Sequence, residues 1–100
     1  MDDDFTRHVI TLTRDPSHAR SEELVRAHVA FLRELEREGR LVLAGPFEDG
    51  TGGMIIIRAK SHEAACAIAE SDPFVISKCA SAGVRTWLLS CEENDHLGAG

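Results

Sequence analysis

The chain has 100 residues, 43% of them hydrophobic and 28% charged, and a formal net charge of −6, the size and make-up of one globular domain with no room for a second core. The acidic balance, with only four Phe and one Trp, excludes a nucleic-acid footprint of clustered Lys and Arg or base-stacking rings. No apolar run approaches the ~20 residues of a membrane-spanning helix, and the acidic start Met1-Asp2-Asp3-Asp4, where a secretory signal would begin basic, points to a cytoplasmic protein.

Phe5 to Thr13 alternates and is rich in β-formers (Val9, Ile10, Thr11, Leu12), which predicts a first strand broken by Asp15-Pro16-Ser17. A helix is predicted from about Ser21 to Glu38, with Ser21 as N-cap, Glu22 and Glu23 at the positive end of the helix dipole, and Gly39 just past its end. Leu41 to Ala44 reads as a short second strand and Met54 to Ile57 as a third. The turn-rich connection Gly45 to Gly53 makes them a long hairpin. That loop has four glycines, but no Lys-Ser or Lys-Thr follows them and a strand comes next, which excludes a P-loop.

Ser61 caps a second helix, Glu63 to Glu70, which turns Ala65, Ile68 and Ala69 inward and ends at Ser71-Asp72-Pro73. Phe74 to Ala80 forms one more short turn or helix, and Val84 to Cys91 a final strand containing Trp87, Leu88 and Leu89. A domain of residues 1–92 is then followed by a loose, polar, glycine-bearing tail, 93–100.

The order β-α-β-β-α-β is the split β-α-β arrangement of ferredoxin-like α+β folds, with both helices on one face of a four-stranded antiparallel sheet. Yet Ile55, Ile56 and Ile57 are consecutive, as are Leu41 to Ala44 and Leu88 with Leu89. Strands apolar on both sides have both faces covered. With two helices available, the remaining cover is a second copy of the same sheet. The expectation is a homodimer packed through its sheet faces.

The first helix carries the most informative residue. Leu24, Ala27, His28, Phe31, Leu32 and Leu35 follow the spacing of one buried helix face, and an imidazole interrupts it. His28 is either a core histidine with a hydrogen-bond partner or one wall of a site, since an unpaired buried polar group costs roughly 1–3 kcal/mol. Histidine titrates near neutral pH, which suits it to moving protons. Asp72, in Asp72-Pro73-Phe74, is either a turn-forming residue at a helix terminus or a carboxylate facing the helix that carries His28. In the second case it would fix the ring's tautomer, as an orienter does for a general base.

The remaining candidates are weaker. Cys66, Cys79 and Cys91 are widely spaced, and His8, His18, His62 and His96 are scattered, so neither a metal site nor a disulfide framework is expected. Arg7, Arg14 and Arg85 lie on predicted strands, where each could neutralise an anionic substrate, against a default of solvated positions. Ser61 and Ser71 read as caps, without a local base to make either a nucleophile.

The run His28-x-x-Phe31-Leu32, then Gly39-Arg40-Leu41, Ala44-Gly45-Pro46, Gly52-Gly53, Ser61-x-Glu63-Ala64-Ala65 and Asp72-Pro73-Phe74, resembles the YciI-like (YCII-related) proteins from about Phe5 to Leu89. The ordered set carries the resemblance; no single motif does. It implies a dimeric ferredoxin-like α+β fold related in shape to muconolactone isomerase-type barrels. It also implies a site pairing a histidine of the first helix with the aspartate of the Asp-Pro-aromatic motif, here His28 and Asp72. The chemistry implied is proton transfer, including chloride elimination from hydroxylated aromatic rings. The compact loop Phe47 to Gly53 and the tail depart from longer members, so substrate identity does not carry over.

The resulting expectation is a small dimeric acid/base enzyme acting on a small cyclic or aromatic metabolite. His28 and Asp72 are its catalytic residues, and Gly45, Pro46 and Phe74 line its substrate pocket. No cofactor is expected, because no nucleotide, flavin or metal motif is present. The alternative is a non-catalytic small-molecule-binding or accessory module, since fold does not decide function. An interaction domain using the acidic helix surface of Glu34, Glu36 and Glu38 is a third reading, set against the ordinary solvation of such charge runs.

Overall fold

The computed structural model describes residues 4–99; the acidic Met1–Asp3 start and Gly100, the last residue of the expected tail, lie outside the described residues. The elements are β1 (Thr6–Arg14), α1 (Glu22–Arg37), β2 (Leu41–Pro46), β3 (Gly52–Ile57), α2 (His62–Glu70), a single turn α3 (Pro73–Ile76) and β4 (Ala80–Leu88). They form one four-stranded sheet in the order β2-β3-β1-β4, with every neighbouring pair antiparallel. Among the described residues no helix is long and apolar enough to cross a membrane.

Local chemistry sets the helix ends. The Ser21 hydroxyl accepts from the Leu24 amide at 3.0 Å, and Ser61 does the same for Ala64 at 3.0 Å. Gly39, at φ 74°, takes the left-handed position that closes α1 and redirects the chain into β2.

Strand ends differ from the pattern-based expectation, with most of the differences at one end of the sheet. β4 begins at Ala80, where Val84 is expected, because Ala80 to Ala82 pair with Leu12 to Arg14 of β1, and it stops at Leu88, where Cys91 is expected, since its pairing with β1 ends at Thr6. The hairpin is also tighter than its glycines suggest. β2 runs on through Pro46 and β3 starts at Gly52, which leaves residues 47–51 as the loop. Gly52 and Gly53 are glycines because of close backbone approach: a Cβ on Gly52 would stand 1.8 Å from the Leu12 carbonyl oxygen, and one on Gly53 2.7 Å from that of Gly45.

Ladder register assigns the faces. Ile10, Leu12, Ile55 and Ile57 pack with Leu35 of α1, Ala65 and Ala69 of α2 and Phe74 of α3 in one core, so the helices share a face. On the opposite face, Ile56 lies between Leu43 and Val9 in register, while Met54 pairs with Thr11 and Trp87 with Arg7. Leu43, Met54 and Trp87 are 65%, 37% and 47% exposed there. Beyond β4, a 3-10 turn (Glu92–Asn94) is held by Asn94, whose Nδ2 donates to the Leu89 carbonyl at 2.8 Å and whose Oδ1 accepts from the Cys91 amide at 3.1 Å.

Candidate active site

Two elements remote in sequence converge here. Leu35 is buried in the core, with Leu24, Phe31 and Leu32 packed against it, and these seat α1; Ala27 of the expected stripe stays exposed, while His28 is carried inward with the others. Asp72 is the N-cap of α3: its extended backbone (φ −65°, ψ 126°) precedes Pro73 at the first helical position, and its Oδ1 accepts from the Phe74 amide at 2.9 Å. The same oxygen lies 2.8 Å from His28 Nδ1. One oxygen of Asp72 thus both caps a helix and meets the imidazole.

The pair is unequally buried, the Asp72 side chain being 1% exposed and that of His28 15%. A carboxylate only accepts, so Nδ1 carries the hydrogen and Nε2 of the neutral ring keeps its lone pair. Nε2 has no hydrogen-bond partner among the described residues. Asp72 Oδ2 is buried, also without a partner among the described residues. A carboxylate sunk this deep with one oxygen unsatisfied is a costly arrangement for stability alone. Phe74 stacks on the imidazole, with centroids 4.0 Å apart and planes 12° apart, and Phe31 stands 6.4 Å away at 31°. The ring is therefore held by a hydrogen bond at its edge and by an aromatic plate on its face.

His28 forms part of the wall of a cavity of about 450 Å³ between α1 and the end of the sheet where the close-packed glycines lie. Gly45, Pro46 and Phe74 line it too, whereas Asp72 does not and stands behind the imidazole. Val25, Val29, Leu32, Leu12 and Ile55 make most of the rest apolar. Of the strand arginines weighed from sequence, Arg14 lines the cavity, while Arg7 and Arg85 fall on the opposite face by register.

Sequence reasoning missed Arg20, which lines the cavity with its guanidinium carbon 5.6 Å from the Phe74 centroid. It also missed Cys79, buried in the wall. Arg20 stands in a polar loop without periodicity, and only its place just before the Ser21 cap could have marked it. Among the described residues no group of three or more His, Cys, Asp or Glu is placed to hold a metal ion. The cavity wall thus combines apolar side chains with His28, Arg14 and Arg20.

Comparison with known proteins places this geometry in context. The model of the YCII-related domain family matches residues 6–88. The uncharacterised protein YjpA of Bacillus subtilis (strain 168) is 41% identical over 69 residues, 69% of this chain and 81% of that protein. A similar solved structure is 5-chloro-2-hydroxyhydroquinone dehydrochlorinase (TftG) from Burkholderia phenoliruptrix AC1100 in complex with 2,5-dihydroxybenzoquinone. Its TM-score is 0.68 at 24% identity, over 81% of this chain and 92% of that one. Rv0793 from Mycobacterium tuberculosis is similar at a TM-score of 0.54 and 14% identity, over 87% of this chain and 97% of that one.

Proposed function

Because the chain belongs to the YCII-related domain family, we propose that it is a small dimeric enzyme with His28 as general acid/base and Asp72 as its orienter. Its reaction is a proton transfer on a small cyclic or aromatic metabolite. The observation that carries this reading is the 2.8 Å contact between the buried Asp72 carboxylate and Nδ1 of an imidazole whose ring lines a cavity. The solved neighbour TftG, a dehydrochlorinase with a cyclic ligand, is compatible with it.

The chemistry follows from the tautomer. Nε2 takes a proton from an acidic carbon of the ligand, and the electron pair left behind moves into the ring or carbonyl as an enolate. The imidazolium that forms is stabilised by the Asp72 carboxylate and the Phe74 face. Returning the proton to another carbon is an isomerisation. When that electron pair instead forms a new double bond and a leaving group such as chloride departs from the adjacent carbon with its own bonding pair, the reaction is an elimination. General acid/base assistance of this kind is worth about 10²–10⁴-fold in rate.

Assembly belongs to the same proposal. The strand order β2-β3-β1-β4 supports the ferredoxin-like assignment. The apolar outer face, where Leu43, Phe47, Met54 and Ile56 surround a shallow hollow of about 270 Å³, supports a dimer of the α+β barrel type, sheet against sheet.

The test is a binding screen of hydroxylated aromatic compounds and lactones, followed by turnover of each binder by wild type and His28→Asn. We expect binding to persist and turnover to fall by about 10² or more. Equal turnover in both proteins removes the acid/base role, and binding without turnover in wild type assigns the cavity to a sensor or accessory module.

A further inference from the structure

The charge of the cavity runs against the charge of the molecule. The chain as a whole carries −6. Yet the ionisable side chains lining the cavity are Arg14, Arg20, His28 and the Cys79 thiol, with no carboxylate among them. Asp72, the buried acid beside it, is shut behind the imidazole and engaged by two donors.

Among the described residues, no carboxylate neutralises either arginine. Arg37 pairs with Glu34 at 2.7 Å and Arg40 with Glu38 at 3.4 Å, but among the described residues Arg14 and Arg20 form no salt bridge, although Glu22 and Glu23 follow Arg20 closely in sequence. They reach the cavity from different elements. Arg14 ends β1 opposite Ala80, and so projects from the helix-bearing face that Leu12 shares. Arg20 comes from the loop before α1 and lies over Phe74, the ring that stacks on His28. Two arginines without a salt bridge among the described residues and one histidine thus share the wall of a chamber otherwise lined mostly by apolar residues.

We propose that Arg14 and Arg20 are the specificity determinants of this cavity, selecting a small carboxylate carried on an apolar, ring-sized body. A guanidinium presents paired N–H donors in a planar fork that fits a carboxylate bidentately and stays charged at all relevant pH. The volume of about 450 Å³ lies in the range of small-molecule sites and suits a compact ligand. Val25, Val29 and Leu32 take the apolar body, while the arginines hold the anionic end beside His28. The same cations stabilise negative charge that spreads from carbon as His28 removes a proton. The inference rests on the acid/base reading for what happens after binding, but anion selection itself does not need His28 to react.

The experiment measures binding of benzoate, benzyl alcohol and benzylamine to the full chain by NMR chemical-shift titration. Wild type, Arg14→Gln, Arg20→Gln, the double variant and His28→Asn are compared. We expect benzoate to bind at least tenfold more tightly than either other probe, shifting resonances of Val29, Leu32 and Phe74. The double variant loses that preference by tenfold or more, and Arg20→Lys restores part of it to Arg20→Gln. His28→Asn keeps it. Benzyl alcohol or benzylamine binding as tightly as benzoate, benzoate affinity unchanged in the double variant, or no benzoate binding at all would each overturn the proposal. If His28→Asn keeps turnover while the arginine dependence holds, the acid/base reading fails and this one stands.

Discussion

At the residue scale, the two oxygens of Asp72 have different surroundings, Oδ1 with two partners and Oδ2 buried with none among the described residues. Oδ1 serves α3 and His28 together, so Asp72→Ala removes an N-cap and a hydrogen bond to the imidazole; we expect a loss of about 2–4 kcal/mol by denaturant titration. Asp72→Asn keeps an oxygen for the Phe74 amide and removes the charge, so stability stays within about 1 kcal/mol while turnover falls. Nitrogen-15 NMR of the neutral His28 ring is expected to show the hydrogen on Nδ1; a hydrogen on Nε2 would remove the lone pair that the mechanism uses. His28 was legible in the sequence because an imidazole broke an apolar helical stripe, and Asp72 because proline follows it. That Asp72 would be almost wholly buried, and that Arg20 would reach the same cavity, had no local signal. Both depend on how α1 and α3 meet.

At the scale of elements, the sheet end beside the cavity is shaped by absent side chains. Gly52→Ala would drive a Cβ into the Leu12 carbonyl oxygen at a φ of +152°, so the β1–β3 pairing must open there. We expect a loss of about 3 kcal/mol or more and weaker ligand binding, since Gly52 lines the cavity. Gly39→Ala, with nothing within 4 Å of the added Cβ, carries only the left-handed φ penalty, about 1 kcal/mol.

The hairpin tip adds a pH-dependent feature. Hydrogen bonds from the Thr51 hydroxyl and amide hold the Asp49 carboxyl below its ordinary 3.8. A depressed folded-state value contributes stability above the unfolded value, and that contribution is lost as pH falls through the folded one. Thr51→Val should move the Asp49 titration, followed by NMR, back up toward 3.8. The two helices and the core of each strand were readable from periodicity and caps, because those signals are local. Ala80 to Ala82, Gly52 and Gly53 carry little strand propensity of their own, and they become strand only because β1 is there to pair with them.

At the scale of the molecule, one sheet face meets the helices and the other presents Leu43, Met54 and Trp87. The run Ile55-Ile56-Ile57 pointed to this two-sided character, since a strand with one wet face would alternate. A Leu43→Glu, Trp87→Glu double variant places charge on that face without touching the cavity, and light scattering is expected to find wild type dimeric and the variant monomeric; a monomeric wild type would contradict the sheet-to-sheet assembly. Function reduces to whether the cavity-side nitrogen of His28 moves protons. The direct measurement is deuterium uptake from D2O into acidic carbon positions of cyclic carboxylates and hydroxylated rings, followed by NMR for wild type, His28→Asn and Asp72→Asn. We expect uptake by wild type, a fall of about 10² or more in His28→Asn and an intermediate rate in Asp72→Asn. Uptake by His28→Asn at the wild-type rate would contradict proton transfer by His28.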